Sequence, residues 1–424
     1  MPTRQISRTT AILFAVSLAA FGCAAPTVEP TASAGAGDPS PSGQATGPTA
    51  EPTPVVTLSP AQIEAQVETI EASVPALRQL EPASVPNRVV DEAAARLDFE
   101  RVIDEAATAE EYAAAARLGE RLGFFPAGTD LRQTQLDLLG DQVLGYYDEE
   151  ADTMAVVQRG ADFGPLERVT IAHEYTHALQ DQAFDLEKVT PDDDVDNSDQ
   201  DLARVAMVEG DASLVTQQWT LDNLTFEQIL AITRQAMEQQ AVLAGIPRLL
   251  VRQLEFPYAE GLLFATALFQ QGGWEAVDAA YASPPDSTEQ VIHPEKYATR
   301  EAPVAVEPDI TPATLGEGWS EAASDTVGEL GIATWLESAG PTIARDASAG
   351  WGGDRVVLLE GPDDAWLVDW ITSWDSPADA EAFTAAASRR ITELGDRAVV
   401  RHTPGSQDVE IRIASVGELL RAGD

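Results

Sequence analysis

The sequence predicts an α+β protein with a mostly helical body, a short sheet before one long helix, and a small C-terminal α+β domain. Apolar residues make up 44% of the chain, which is enough to build a packed core. Two short runs rich in β-forming residues, 142–148 and 153–158, flank a turn and precede a helical stretch at 166–184. Most other stretches up to about residue 300 repeat with helical period, whereas strand-like runs return beyond residue 350.

The charge balance excludes one broad class of function. The 424 residues carry 26 Lys and Arg against 70 Asp and Glu, a formal net charge of −44. No arginine cluster forms a stripe, so nucleic acid and anionic lipid surfaces would both repel the chain. The single cysteine, Cys23, excludes an intramolecular disulfide and a cysteine-based zinc knuckle.

The first 22 residues have the features of a secretion signal. Arg4 and Arg8 precede an apolar run at 11–21, which is too short for a permanent membrane span. The run ends in Ala-Phe-Gly-Cys, which resembles a bacterial lipoprotein box. We therefore predict an exported, cell-surface lipoprotein that touches the membrane only through a lipid on Cys23, with a simply secreted protein as the alternative.

Three further segments follow the signal. Residues 23–59 are mostly Ala, Pro, Thr, Ser and Gly and are typical of a flexible tether. Ser59 and Pro60 then give a cap and a first helical residue, so a helix is predicted from residue 60 to about 80. The predicted body spans 60–300 and the C-terminal α+β region 301–424. Whether the Ala-rich helices at 91–122 form a lid or an inhibitory prodomain stays open.

Further elements complete the expected order. Helices are predicted at 202–219, 225–243, 258–270, 274–281 and 377–392, and late strands at 355–360, 365–373, 397–402 and 408–413. An acidic loop at 191–201 lacks the glycine and the final glutamate of a calcium loop. A solvated loop is the favoured reading there, with calcium binding as the alternative.

The sequence His173-Glu174-Tyr175-Thr176-His177 carries the chemistry. Histidines four apart on a helix lie on one face, so their imidazoles converge on one ion. Glu174 is offset by about 100° around the helix axis, which places its carboxylate beside that ion as a general base. Zn²⁺ is the predicted cofactor, because it accepts nitrogen and carboxylate ligands.

Tetrahedral zinc needs a third protein ligand. A third histidine six residues beyond His177 is absent, because position 183 is alanine. We favour Glu209, a lone glutamate in an apolar helical run, because burying it without a partner would be costly. The alternatives weighed are Glu187, Asp211 and His293.

Neighbouring groups are expected to orient the imidazoles and stabilise the intermediate. Asp181 lies one helical turn after His177, and Asp211 lies two residues after Glu209, so either can accept a ring N–H. His293 and Tyr297 are predicted to act beside Glu174 in catalysis by stabilising a tetrahedral oxyanion, with Tyr258 as the alternative.

The stretch HEYTHALQD resembles the active-site helix of thermolysin and of the gluzincin zinc metallopeptidases. That resemblance implies a zincin-like body with His173, His177 and Glu209 as zinc ligands and Glu174 as the base. The segments GYYD, VEGDA, FPYAEG, GGW and STEQVIHPEKY extend the likeness, over about residues 120–300, to a largely uncharacterised family of prokaryotic secreted metallopeptidases. The chain departs from thermolysin at Ser213, where those enzymes have an aspartate.

The functional prediction is a zinc endopeptidase that acts on a peptide or protein substrate. An extended substrate is expected to pair with 153–158 as a free edge strand. Two alternatives compete: a non-catalytic surface lipoprotein with a structural zinc, and a zinc hydrolase of non-peptide amides or esters.

Overall fold

The α+β class is confirmed by the computed structural model, which describes residues 13–16, 59–149, 151–157, 163–190, 197–240 and 242–423. The predicted signal and tether therefore lie almost wholly outside the described residues, apart from 13–16 and 59. Among the helices that the structure describes, none has both the length and the apolarity to cross a membrane.

The elements are labelled in chain order. The helices of the first 300 residues are α1 (Pro60–Arg78), α2 (Glu92–Ala106), α3 (Ala109–Leu122), α4 (Leu131–Gln142), α5 (Pro165–Phe184), α6 (Leu186–Val189), α7 (Ser198–Asn223), α8 (Phe226–Gln240), α9 (Arg248–Tyr281), α10 (Thr288–Ile292) and α11 (Pro294–Thr299). Beyond them lie α12 (Pro312–Leu315), α13 (Gly328–Leu336), α14 (Pro341–Ser348) and α15 (Pro377–Ile391). The strands are β1 (Leu13–Val16), β2 (Asn87–Val90), β3 (Val143–Asp148), β4 (Thr153–Val157), β5 (Ser320–Asp325), β6 (Trp351–Glu360), β7 (Trp366–Trp374), β8 (Ala398–His402) and β9 (Asp408–Ala414).

Local sequence explains where several helices begin and end. Ser59 caps α1 with proline at the first helical position, and Thr108 and Glu111 form a capping box at the start of α3. The helix α3 ends at Gly123 in the left-handed conformation, as its glycine predicts. The start at Ser59 and Pro60 and the end at Gly123 agree with the sequence prediction because they depend on local hydrogen bonds.

The first sheet has the strand order β1-β3-β4-β2. The strands β3 and β4 form the predicted antiparallel hairpin, and β2 adds in parallel on the far side of β4. The prediction that residues 153–158 form a free edge is wrong, because β4 is paired on both sides. The backbone of Leu13–Val16 instead pairs with the outer edge of β3.

The long helices α5, α7 and α9 form the centre of the body. The helix α5 packs on the first sheet and on α1, and α7 packs between α5 and α9. Their apolar faces form one large buried cluster that includes Leu179, Val208 and Phe256. The helix α9 changes direction at Gly272 and Gly273, whose backbone angles are not helical.

The C-terminal region forms a five-stranded antiparallel sheet in the order β5-β6-β7-β9-β8. Its core receives Ala114, Leu118 and Leu122 from α3, whereas Tyr112 and Ala116 of the same helix belong to the core beside the first sheet. Because α3 contributes to both cores, residues 109–122 join the two layers. The packing of residues 109–122 therefore does not identify this segment as a lid or as a prodomain.

Candidate metal centre

The helix α5 buries the whole predicted motif. His173 is 6% exposed, and Glu174 and His177 are both 0% exposed. Three polar side chains in such a position need partners, since unpaired polar groups in a dry core are costly. The two imidazoles face each other edge to face, with ring centroids 4.7 Å apart. They therefore lie on one face, as their four-residue spacing predicts.

The helix α7 brings Glu209 to this face. Its Oε2 atom lies 3.0 Å from Nε2 of His173 and 3.5 Å from Nε2 of His177. One ligand atom from each of the three residues lies within 4.8 Å of the others. Two imidazole nitrogens and one carboxylate oxygen are a donor set that zinc accepts, so the chemistry of the site fits the ion.

Hydrogen bonds on the outer ring nitrogens favour the metal-binding tautomer of both histidines. Nδ1 of His173 lies 3.3 Å from Oγ1 of Thr216, whose proton is donated to the Ala212 carbonyl at 2.7 Å. Nδ1 of His177 lies 2.7 Å from the amide oxygen of Gln180. Both Nδ1 atoms are therefore donors, and Nε2 of His177 is buried with no hydrogen-bond partner among the described residues. With Nδ1 committed to these bonds, Nε2 is the nitrogen that each imidazole turns towards the meeting place of the three side chains.

The charges of the three residues are tightly coupled when no ion is bound. Burial disfavours the charged imidazolium, but the Glu209 carboxylate outweighs burial and raises the pKa of His177 to about 9. Burial lowers the pKa of His173, which competes with His177 for the same carboxylate. Burial alone would raise the pKa of Glu209, yet the two imidazoles hold that pKa at about 2. A cation is thus favoured beside Glu209, whether a proton or a metal ion.

Glu174 lies between α5 and the first sheet. The strand β3 passes directly over it at Gly145, where an added Cβ would lie 3.4 Å from Cγ of Glu174 and 2.6 Å from Cγ2 of Thr170. Only a residue without a side chain allows the strand this close to the helix. The catalytic candidate and the strand β3 are therefore neighbours.

Tyr258, on α9, is the tyrosine that the structure brings to the metal ligands. Its hydroxyl donates to Oε1 of Glu209 at 3.1 Å, and its ring lies 6.1 Å from the ring of His173. This was the alternative to Tyr297 in the sequence prediction.

His293 and Tyr297 lie elsewhere, so their predicted catalytic roles are not supported by their contacts. Nε2 of His293 lies 3.1 Å from Glu329, and the Tyr297 hydroxyl donates to the Ser283 carbonyl at 2.8 Å. Thr288, five residues before His293, bonds to Asp199, which lies about 15 Å along α7 from Glu209. Local sequence could not show this, because the fold decides which end of α7 meets α10.

The two aspartates that were predicted to orient the imidazoles do not hydrogen-bond to them directly. Asp181 accepts hydrogen bonds from the Tyr147 hydroxyl at 3.0 Å and from the backbone N–H of Leu186 at 3.0 Å, and bonds to no imidazole in the described part of the chain. It ties β3 to the end of α5. Asp211 is buried and accepts from Gln180, so it reaches His177 through one intermediate rather than directly.

Sequence reasoning missed Gln180, Arg78 and Glu149. Gln180 lies three residues after His177, a spacing that puts the two on one helical face and so could have indicated it. Glu149 follows β3 and interacts electrostatically with Asp181 and His177. Burial, with the charge of Asp181, raises the pKa of Glu149 to about 8.

A second group of carboxylates is held by an internal cation. Glu289, Glu301 and Asp375 converge, but Nζ of Lys296 pairs with all three, at 2.7 Å from Glu289 and 2.8 Å from Glu301. The lysine ammonium supplies the charge that a metal would supply. This cluster joins α10 and α11 to the loop after β7.

The acidic loop is only partly described, since residues 191–196 lie outside the described residues. Asp199, within the stretch expected to be solvated, is instead 4% exposed and accepts two hydrogen bonds from Thr288. The expectation of a solvated loop is therefore wrong for this residue.

Comparisons with known proteins identify only the C-terminal region. Residues 314–418 match a family described as a domain of unknown function, DUF8575. The match begins within α12 and ends after β9, so it includes the whole five-stranded sheet. No curated protein and no solved structure matches the chain.

Proposed function

We propose that this protein is a zinc-dependent endopeptidase of gluzincin type with a zincin-like body. One observation carries the proposal. Two imidazoles with donating Nδ1 atoms and one buried carboxylate converge, and a second buried carboxylate, Glu174, is the next residue after the first histidine. A structural zinc site has no need of that second carboxylate.

The roles of the residues follow from their positions. His173, His177 and Glu209 would hold the ion, which when bound supplies Lewis-acid polarisation of water and of the scissile carbonyl. Glu174 takes a proton from the attacking water on its carboxylate and returns it to the leaving amine nitrogen. The Tyr258 hydroxyl donates its proton to Oε1 of Glu209, and on turning away from that carboxylate it would donate to a developing oxyanion.

The edge of β3 supports a peptide as substrate. Its outer edge is paired with Leu13–Val16, in the register Ala15 opposite Gly145. Cleavage after residue 22, which the sequence predicts, would remove that strand and leave the edge available for strand addition. An extended peptide there would lie beside Glu174, because Gly145 packs against it.

The contacts of His293 weigh against a closed structural site. That reading needs a fourth protein ligand, and His293 is the one other histidine in the predicted body at 60–300. In the described part of the chain the metal-ligand group contains three residues, and His293 is bonded to Glu329.

The direct test measures zinc and hydrolysis on the same samples of protein that lacks only residues 1–22. Wild type should hold about one equivalent of zinc and cleave members of a mixed peptide library until a chelator is added. Glu174→Gln should retain the zinc and lose turnover, whereas Glu209→Ala should lose zinc. Glu275→Gln, an exposed residue on α9, is the matched control and should change neither.

Undiminished turnover in Glu174→Gln would reject the proposed base, and full zinc occupancy in Glu209→Ala would reject the third ligand. Cleavage of small esters or amides without cleavage of any peptide would favour the non-peptide hydrolase instead.

A further inference from the structure

A chain of hydrogen bonds connects His177 to the N-terminal helix α1. Nδ1 of His177 contacts the amide oxygen of Gln180 at 2.7 Å, and the Gln180 amide nitrogen donates to Asp211 at 2.9 Å. Arg78, the last residue of α1, donates from Nε to both oxygens of Asp211 at 2.8 Å and 3.0 Å. All four side chains are 0% exposed, so water does not compete for these bonds.

The direction of each bond is fixed by its partners. The amide nitrogen of Gln180 faces a carbonyl, that of Val208 at 3.1 Å, and the Asp211 carboxylate, and both groups accept. Its amide oxygen must therefore face His177 and accept from Nδ1. If the amide were flipped, its oxygen would face the Val208 carbonyl oxygen and the Asp211 carboxylate. The Gln180 side chain therefore selects one tautomer of the imidazole.

Asp211 is the point where three elements meet. It accepts from Arg78 on α1, from Gln180 on α5 and from the Tyr281 hydroxyl on α9, the last at 2.7 Å. The Arg78 guanidinium also donates to Asp278 at 2.6 Å and stacks on Trp274, 4.5 Å from its ring centroid. Burying the Asp211 charge is expensive without a partner, so Arg78 of α1 compensates the carboxylate that holds Gln180.

We propose that Arg78, Asp211 and Gln180 are positioning residues that hold Nε2 of His177 free for the metal, so that α1 is an integral part of the metal centre. The proposal rests on the proposed zinc site. It adds that zinc affinity depends on a helix that begins directly after the predicted tether and contributes no ligand.

Zinc affinity, measured by competition with a fluorescent chelator, tests the proposal on protein that lacks only residues 1–22. Gln180→Leu should weaken zinc binding about 10- to 100-fold, the range typical of lost outer-shell partners. Arg78→Met should weaken it as well, and the double variant should bind about as well as Gln180→Leu alone. That non-additivity is expected of residues acting in series and not of two independent structural losses.

Matched control variants test whether a loss of zinc affinity is specific to this chain of hydrogen bonds. Gln182→Leu changes an exposed glutamine on the same helix, and Arg234→Met changes an exposed arginine on α8. Both should bind zinc as wild type does. Wild-type affinity in Gln180→Leu, or additive losses in the double variant, would overturn the proposal.

A spectroscopic measurement tests the Gln180 step without using Arg78→Met. In zinc-loaded protein with ¹⁵N-labelled histidine, the Nδ1–H proton of His177 should exchange slowly in wild type and fast in Gln180→Leu. Equal exchange in both would also overturn the proposal. Absence of zinc from wild type itself would instead reject the proposed function, so the two failures are distinguishable.

Discussion

Gly210 on α7 and Gly261 on α9 pack backbone against backbone beside the metal ligands. A Cβ on Gly210 would come within 2.1 Å of the Gly261 carbonyl oxygen, and a Cβ on Gly261 within 2.2 Å of the Ala206 carbonyl oxygen. Gly210 directly follows Glu209, and Gly261 lies about one turn after Tyr258. The crossing of these helices therefore sets the distance from the Tyr258 hydroxyl to Glu209.

We predict that Gly261→Ala lowers the free energy of unfolding by about 1–3 kcal/mol, because the obstructing atom is backbone and the helices must separate. Zinc affinity should fall as well, since Glu209 moves with α7. Gly245→Ala is the control, because a Cβ there meets nothing within 4 Å. Denaturant unfolding and zinc titration give the two quantities. A Gly261→Ala protein as stable as Gly245→Ala would show that the close crossing is not required.

The three residues of the proposed metal site could be predicted from sequence because each leaves a local signature. The four-residue spacing of His173 and His177 defines one helical face, and Glu209 is a charged residue inside an apolar helical run. The structure brings all three within 4.8 Å. The hairpin β3–β4, from two β-rich runs around a turn, and the helix α15 are likewise predicted.

What sequence did not predict depends on long-range contacts. Arg78 reaches Asp211 across 133 residues, and no local pattern in α1 indicates a buried guanidinium.

The strand β5 was missed because its residues, SEAASD, have low β-propensity and are held by pairing with β6. The helix α9 begins ten residues before the predicted 258–270, because Pro257 is tolerated inside it. His293 and Tyr297 were misplaced for the same reason, since tertiary packing alone decides their partners.

We predict that Tyr258→Phe lowers kcat about 100-fold with little change in KM and with zinc retained. The variant removes one hydroxyl donor beside Glu209, and loss of one oxyanion donor has this magnitude. Tyr112→Phe is the matched control, because in the described part of the chain that hydroxyl donates to the Ile103 carbonyl and to no metal-site residue. Steady-state kinetics on a cleaved library peptide measure the effect. Full activity in Tyr258→Phe combined with a loss in Tyr297→Phe would restore the original sequence prediction.

Two buried acids, Asp199 and Asp354, and the half-buried Asp325 line the seam between the body and the C-terminal sheet. Asp199 accepts from Thr288, Asp325 accepts from Ser198, and Asp354 accepts from the backbone of Val327 and Gly328. Burial raises the pKa of Asp199 to about 8, against the donation by Thr288 and with repulsion from Asp354 and Asp325. Burial likewise raises the pKa of Asp354 to about 6 and raises that of Asp325.

These shifts predict that stability falls as the pH rises. A carboxyl group whose pKa is raised by folding favours the folded state while it is protonated, so its contribution is complete below its unfolded pKa near 4. That contribution is lost as the pH rises towards 8, with a slope of at most about 1.4 kcal/mol per pH unit for Asp199.

Asp199→Asn removes the titration and keeps an acceptor for Thr288, so it should flatten the decline between pH 4 and 8. Asp222→Asn, exposed on the same helix, should leave the slope unchanged. Denaturant unfolding at a series of pH values measures both, and equal slopes in the two variants would show that Asp199 is ionised in the folded protein at neutral pH.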